Sequence, residues 1–149
     1  MIDKKFIGHT MPDFSATVEL GRLRFFAKAT GQPDPVYSDL AVAQAQGHRS
    51  LPVPPTFLFC LEMEAPDPAA IRNLLGMDYR TLLHGEQGFT YYATAYAGDT
   101  LIFSQRIADL YDKREGALEF VERKTLVTNQ NGVHIAELRC VTVIRNKGV

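Results

Sequence analysis

The apolar residues of this chain change their spacing near residue 80. Before that point they recur at helical intervals, and one amphipathic helix, ended by Gly31, is predicted from Leu20, Leu23, Phe26 and Ala27. Residues 81–146 instead hold long runs of β-branched and aromatic residues, which are typical of strands. Turn signals divide these runs at 97–99, 112–116 and 131–132. The pattern therefore predicts an α+β domain, with helices and loops over 1–80 and antiparallel strands over 81–146.

Two shorter helices are predicted before the strands. Ser38 can act as the N-cap of a helix over 39–46. The apolar run 56–63 could be a buried strand or a buried helix by composition, but Pro55 suits the first turn of a helix and Pro66 suits the residue beyond its end. We interpret this run as an enclosed helix whose buried face is formed by Phe57, Leu58, Cys60 and Leu61. Strands of about 10–14 residues beside one enclosed helix indicate a sheet curled around that helix.

Composition narrows the classes of function. The 149 residues suit one domain over 1–149, because no repeat or linker interrupts them. Sixteen basic against 17 acidic residues give a net charge of −1, which argues against a nucleic-acid partner. No apolar stretch reaches the about 20 residues of a membrane span, and the N-terminus lacks the pattern of a signal peptide, so we expect a cytoplasmic protein. The two cysteines are predicted to be reduced, and the four scattered histidines predict no metal site.

Three segments carry a resemblance to a known family. They are Thr30–Asp39, which includes Gln-Pro-Asp-Pro; Pro54–Phe57; and the strand region around 83–101 with its His-Gly-Glu-Gln and Ala-Gly-Asp-Thr sequences. Together they resemble the MaoC-like hydratases and dehydratases of the hot dog fold, in particular the N-terminal MaoC-type dehydratase subfamily. The resemblance covers nearly the whole chain. It implies a single hot dog, a long antiparallel sheet wrapped around one central apolar helix.

The resemblance also implies a chemistry. These lyases of fatty acid metabolism hydrate a trans-2-enoyl thioester of coenzyme A or acyl carrier protein to the (R)-3-hydroxyacyl product, or catalyse the reverse dehydration, without a cofactor. An Asp and a His of the loop activate the water, and a backbone N–H at the start of the central helix polarises the thioester carbonyl. In this chain Gln32 stands at the Asp position and Tyr37 at the His position. Neither side chain is a base at neutral pH, so the dyad is absent. Asp34 could be a displaced base or a turn residue.

The helix entry also departs from the family. Pro55 and Thr56 replace a His-Gly pair, although Thr56 still has an N–H for a carbonyl. A different dyad, His48 with Glu62, resembles that of the hot dog 3-hydroxyacyl-ACP dehydratases, and Glu62 alone resembles the helix carboxylate of hot dog thioesterases. The alternatives are a solvated loop histidine and a helix-end carboxylate. His84 could contact a thioester or simply lie at a strand edge.

The leading hypothesis is an acyl-thioester-binding, dyad-less subunit of an (R)-specific enoyl-CoA hydratase or 3-hydroxyacyl dehydratase. Because a fused double hot dog needs about twice this length, we expect a dimer with a second hot dog unit. Two rivals remain: a non-catalytic homodimer that binds an acyl ligand or a partner protein, and an active enzyme that uses Asp34 or the His48 and Glu62 pair. We interpret the aromatic residues of the first strand, Phe89, Tyr91, Tyr92 and Tyr96, as packing residues.

Overall fold

A five-stranded antiparallel sheet forms the body of the molecule in the computed structural model, which describes residues 2–146. Its strands are β1 (Phe14–Thr17), β2 (Leu82–Tyr91), β3 (Thr100–Lys113), β4 (Leu118–Asn129) and β5 (His134–Arg145). They lie in the order β1-β3-β4-β5-β2, so β1 and β2 are the two edges. The three turns predicted from the sequence separate β2 to β5, and the predicted strand lengths are confirmed. The architecture is the expected hot dog fold.

Four helices lie in the segments before β2. They are α1 (Leu20–Ala29), α2 (Leu40–Ala45), α3 (Phe57–Glu62) and α4 (Ala70–Leu74). The chain leaves α1 through Gly31, whose φ of +67° lies in the left-handed region that favours glycine. The central helix α3 is confirmed, and Leu58 and Leu61 are its most deeply buried residues. Among residues 2–146, no helix is long and apolar enough to span a membrane.

Three local expectations were wrong. The segment before α1 holds a strand, β1, whose Phe14 pairs with Phe103 of β3 and stacks on its ring at 5.0 Å between centroids. The N-cap of α2 is Asp39, not Ser38, because the Asp39 carboxylate accepts from the backbone N–H of the second and third residues after it. On α3, Cys60 is only half-buried, and a carboxylate, Glu62, is buried instead.

The core lies between the sheet and the helices. One apolar cluster joins α1, the loop after it and α3 to the inner face of the sheet. Phe57 packs edge-on against Phe26 at 5.1 Å between ring centroids, which links α3 to α1. This packing sets the loop after α1 beside the start of α3, and an open cavity lies there.

Candidate functional site

A cavity of about 530 Å³ opens between three segments. The loop after α1 contributes Asp34, Val36 and Tyr37, the start of α3 contributes Pro55 and Leu58, and the end of β2 contributes Tyr91. His48 and Ile135 complete the wall among further residues. The size lies within the range of small-molecule sites, about 300–1,000 Å³. The structure therefore brings together, at one cavity, the loop after α1 that resembles the family's motif and the start of α3.

The loop directs its polar side chains unevenly. Tyr37 lines the cavity, whereas Gln32 lies outside it and accepts a hydrogen bond from the backbone N–H of Asp34 at 3.2 Å. Asp34 lines the cavity, but its Oδ1 accepts from the N–H of Val36 at 3.0 Å and caps the short turn over 35–37. The carboxylate at Asp34 is thus engaged in turn formation.

A tyrosine hydroxyl is hydrogen-bonded to the backbone amide at the start of α3. Thr56 is the N-cap of α3 and adopts the left-handed conformation, with φ +71°. Its N–H donates to the Tyr91 hydroxyl at 3.0 Å. Burial raises the pKa of Tyr91; the Thr56 N–H opposes this shift, and the nearby Tyr37 adds to it. Tyr91 therefore remains protonated at neutral pH and occupies the amide that the resemblance assigns to a thioester carbonyl.

His48 belongs to a polar network at the cavity wall. Its Nδ1 lies 3.1 Å from the Tyr96 hydroxyl. The guanidinium of Arg49 lies 4.6 Å from the centroid of the same tyrosine ring and bonds to Asp99 at 2.5 Å. Asp99 is fully buried. Burial acts to raise its pKa, but the hydrogen bonds from Arg49, Gln130 and the Tyr96 N–H outweigh it and lower the pKa.

Glu62 lies in the interior beneath the end of α3. Its carboxylate accepts from Arg123 Nη2 at 2.9 Å, from Gln105 Nε2 at 3.3 Å and from the Thr125 hydroxyl. His48 bonds to Tyr96 instead, and no hydrogen bond joins it to Glu62. The structure therefore places the two members of the alternative dyad in separate networks.

His84 lies exposed on the edge strand β2. Its ring packs edge-on against Phe59 at 5.4 Å between centroids. His84 does not line the cavity of about 530 Å³, whereas Tyr91, which accepts from the Thr56 N–H, does. Within residues 2–146, no group of three or more His, Cys, Asp or Glu side chains is arranged to hold a metal ion.

Two site residues were not anticipated from the sequence. Tyr91 and Tyr96 were interpreted as packing residues, yet Tyr91 bonds to the helix entry and Tyr96 holds His48. Their partners lie 35 and 48 residues away along the chain. The aromatic run does not predict these hydrogen bonds, because tyrosines are common in strands whether or not their hydroxyls have a distant partner.

Comparison with known proteins agrees with this picture. A family model described as the FAS1-like, dehydratase domain region matches residues 5–138. A UPF0336 protein of Streptomyces avermitilis is 33% identical over 136 residues, which cover 90% of this chain and 89% of that protein.

Two solved structures share the fold. One is the C-terminally truncated HadBC (3R-hydroxyacyl-ACP dehydratase) complex of Mycobacterium tuberculosis, with a TM-score of 0.77 and 23% identity, covering 93% of this chain and 96% of that chain. The other is a MaoC-like dehydratase with a TM-score of 0.84 and 21% identity, covering 95% of this chain and 43% of that one. At these identities the likeness establishes the shared hot dog fold.

Proposed function

Because the chain belongs to the FAS1-like dehydratase-region family of hot dog proteins, we propose that it is an acyl-thioester-binding subunit that lacks the catalytic dyad. Its partner is a dyad-bearing hot dog subunit, and together they form an (R)-specific enoyl-CoA hydratase or 3-hydroxyacyl dehydratase. The carrier is coenzyme A or acyl carrier protein.

One observation carries the proposal: the cavity is retained, while the two loop positions that hold the family's Asp and His are Gln32 and Tyr37. Tyr37 lies in the wall at the position of the family's His, and Gln32, at the position of the Asp, bonds to the backbone of its own loop. Asp34 is engaged with the Val36 N–H. A pocket of this volume beside an apolar helix suits an acyl chain, but hydration by the family's mechanism also needs the acid–base pair of the loop.

The open edge of β2 supports a second hot dog unit as partner. Within residues 2–146 this ten-residue strand pairs only with β5, so one side of its backbone has no ladder partner there. Its Leu83 and Tyr91 are about half exposed, and an exposed edge strand with apolar side chains is a template for pairing with another chain. HadBC, which shares the fold, is a complex of hot dog subunits. We place the partner along β2.

Hydration of crotonyl-CoA tests the proposal in three arms: this chain alone, a MaoC-type subunit from the same source alone, and the two mixed. We expect the chain alone to be at least about 10²-fold slower than the mixture, since general acid–base catalysis contributes about 10²–10⁴-fold. Turnover by the pure chain at about 1–10³ per second contradicts the proposal. A stable homodimer that binds acyl-CoA and activates no partner supports the non-catalytic rival.

The partner surface has its own test. Leu83→Lys places a charge on the β2 edge and should weaken assembly measured by light scattering after size exclusion. Phe25→Lys replaces an exposed apolar residue of α1 and should leave assembly unchanged. Equal effects of the two variants contradict placement of the partner along β2.

Restoring the dyad tests whether positions 32 and 37 correspond to the family's catalytic Asp and His. Gln32→Asp with Tyr37→His rebuilds the pair without changing the loop prolines. Gln32 is outside the core, and Tyr37 is only partly buried against it. We expect a partial gain in crotonyl-CoA hydration, because Pro55 and Thr56 still differ from the active helix entry. Adding Pro55→His and Thr56→Gly should raise the rate further. A folded double variant that binds acyl-CoA but gains no rate, with or without the helix-entry changes, contradicts the assignment of positions 32 and 37.

A further inference from the structure

His48 lines the cavity with one imidazole nitrogen bonded and the other available. Nδ1 is 3.1 Å from the Tyr96 hydroxyl, and the two ring centroids are 5.8 Å apart. Nδ1 and Nε2 are separated by a ring carbon, so when Nδ1 bonds to Tyr96, Nε2 points elsewhere. Within residues 2–146, Nε2 of His48 has no hydrogen-bond partner. Because His48 lines the cavity and Tyr96 does not, Nε2 is the imidazole nitrogen available to a ligand there.

The ring that holds His48 is itself fixed. Arg49 lies over the face of Tyr96 and bonds to Asp99 Oδ1, while Asp99 Oδ2 accepts from the Tyr96 backbone N–H at 2.8 Å. Gln130 Nε2 adds a further bond to Asp99 at 3.0 Å. This network ties the loop at 48–49 to the connection before β3, so the imidazole is held in one orientation before a ligand arrives.

Much of the cavity wall around His48 is apolar, formed by Val36, Val53, Leu58 and Ile135. Two polar groups of the wall are engaged within the protein, since Asp34 caps a turn and Tyr91 accepts from Thr56. The wall also has the polar side chains of Tyr37, Gln46, Tyr92 and Thr94. Any acyl chain in this cavity can pack against these apolar residues, so the apolar contacts do not distinguish an acyl chain with a polar substituent from one without. Only a substituent that can hydrogen-bond gains from Nε2.

The chemistry of the imidazole favours a hydroxyl as that substituent. If Tyr96 donates to Nδ1, Nε2 carries the proton and donates; if Nδ1 donates to Tyr96, Nε2 accepts. A hydroxyl group both donates and accepts, so it matches either tautomer. An acyl chain without an oxygen substituent matches neither.

We propose that His48 is a specificity-determining residue that hydrogen-bonds the hydroxyl of a 3-hydroxyacyl group. This inference rests on the proposed function, since it requires the acyl group to enter this cavity. The role is to position and select the acyl group. It requires no proton transfer and no contact with Glu62.

Calorimetric titration with two probes, (R)-3-hydroxyhexanoyl-CoA and hexanoyl-CoA, tests the proposal on the full chain, alone and with its partner subunit. The readout is the ratio of their dissociation constants. One hydrogen bond between neutral groups predicts about 2- to 10-fold tighter binding of the hydroxylated probe. His48→Ala should bring the ratio to about one, and His48→Gln, which keeps a donor and an acceptor, should retain part of it.

Tyr96→Phe, which frees the ring of His48, should lower the ratio, and His9→Ala, an exposed histidine outside the cavity, should leave it unchanged. A simple change in cavity size would alter both affinities together and leave the ratio intact. A ratio that His48→Ala does not change overturns this inference while the proposed function stands. Failure of both probes to bind, with or without the partner, overturns the proposed function and this inference with it.

Discussion

Replacement of Glu62 by Gln should weaken the fold, because the carboxylate neutralises a charge that the interior cannot hydrate fully. Glu62 is 3% exposed and bonds to Arg123, whose side chain is 22% exposed. Removing one partner of a buried ion pair costs about 3–5 kcal/mol, and losing a hydrogen bond to a charged group costs about 1.5–3 kcal/mol. Since Arg123 reaches some water and Gln keeps the shape of Glu, we expect a loss of about 2–3 kcal/mol.

Urea unfolding followed by far-ultraviolet circular dichroism measures this loss. With a slope of about 1–3 kcal/mol per molar urea, the midpoint should fall by about 0.7–3 M. The matched control is Glu64→Gln, two residues further on. Glu64 is paired with Arg22 at the surface, where an ion pair contributes about 0–1 kcal/mol. A midpoint shift for Glu62→Gln no larger than that of the control would refute the reasoning.

A second variant separates charge from packing. Glu62→Leu combined with Arg123→Met removes both charges, and it should recover much of the stability that Glu62→Gln loses. If Glu62 were instead the helix carboxylate of a thioesterase, Glu62→Gln would abolish acyl-CoA hydrolysis while the urea midpoint stayed constant. The two measurements together distinguish a structural from a catalytic carboxylate.

Three further predictions concern stability. Leu58→Ala should cost about 2–5 kcal/mol in urea unfolding because the residue is buried in a packed core, whereas Met63→Ala, at an exposed position, should change stability by about 0.5 kcal/mol or less. Asp39→Ala should cost about 0.5–2 kcal/mol by removing the N-cap of α2, and Ser38→Ala should cost less; equal losses would contradict the capping assignment. Asp99 has a lowered pKa in the folded state, so its stabilisation is complete above about pH 4 and is lost as the pH falls through the folded-state value. Urea midpoints from pH 6 to pH 3 should therefore fall less in Asp99→Asn than in the parent.

The parts of the fold that follow from the sequence are those with local causes. The hairpin turns, the end of α1 at Gly31 and the enclosed helix α3 all depend on residues within the element or beside it. Strand β1 was missed because four residues with one buried position carry too little periodicity. In the folded chain Phe14 of β1 stacks on Phe103 of β3. This contact joins residues far apart in the sequence, so no local pattern predicts it.

The same distinction applies to the candidate site. The loop motif located the cavity wall at Asp34 and Tyr37, because the family resemblance lies in consecutive residues. The hydrogen bonds of Tyr91 and Tyr96 depend on how β2 and the segment after it pack against loops elsewhere in the chain. The burial of Glu62 likewise depends on Arg123 of β4, which no local pattern connects to the helix.

The position of β5 has a consequence for how the chain folds during synthesis. Strand β5 follows the other four along the chain but lies between β4 and β2, and within residues 2–146 β2 pairs with no other strand. Tyr91 pairs with Ala136 and Leu82 pairs with Ile144, so pairing of β2 begins with the first residues of β5 and is complete only with its last ones. A nascent or truncated chain that ends before 134 leaves β2 without a partner strand, and an unpaired strand is the kind of segment that aggregates. Premature termination should therefore yield insoluble product rather than a smaller folded domain.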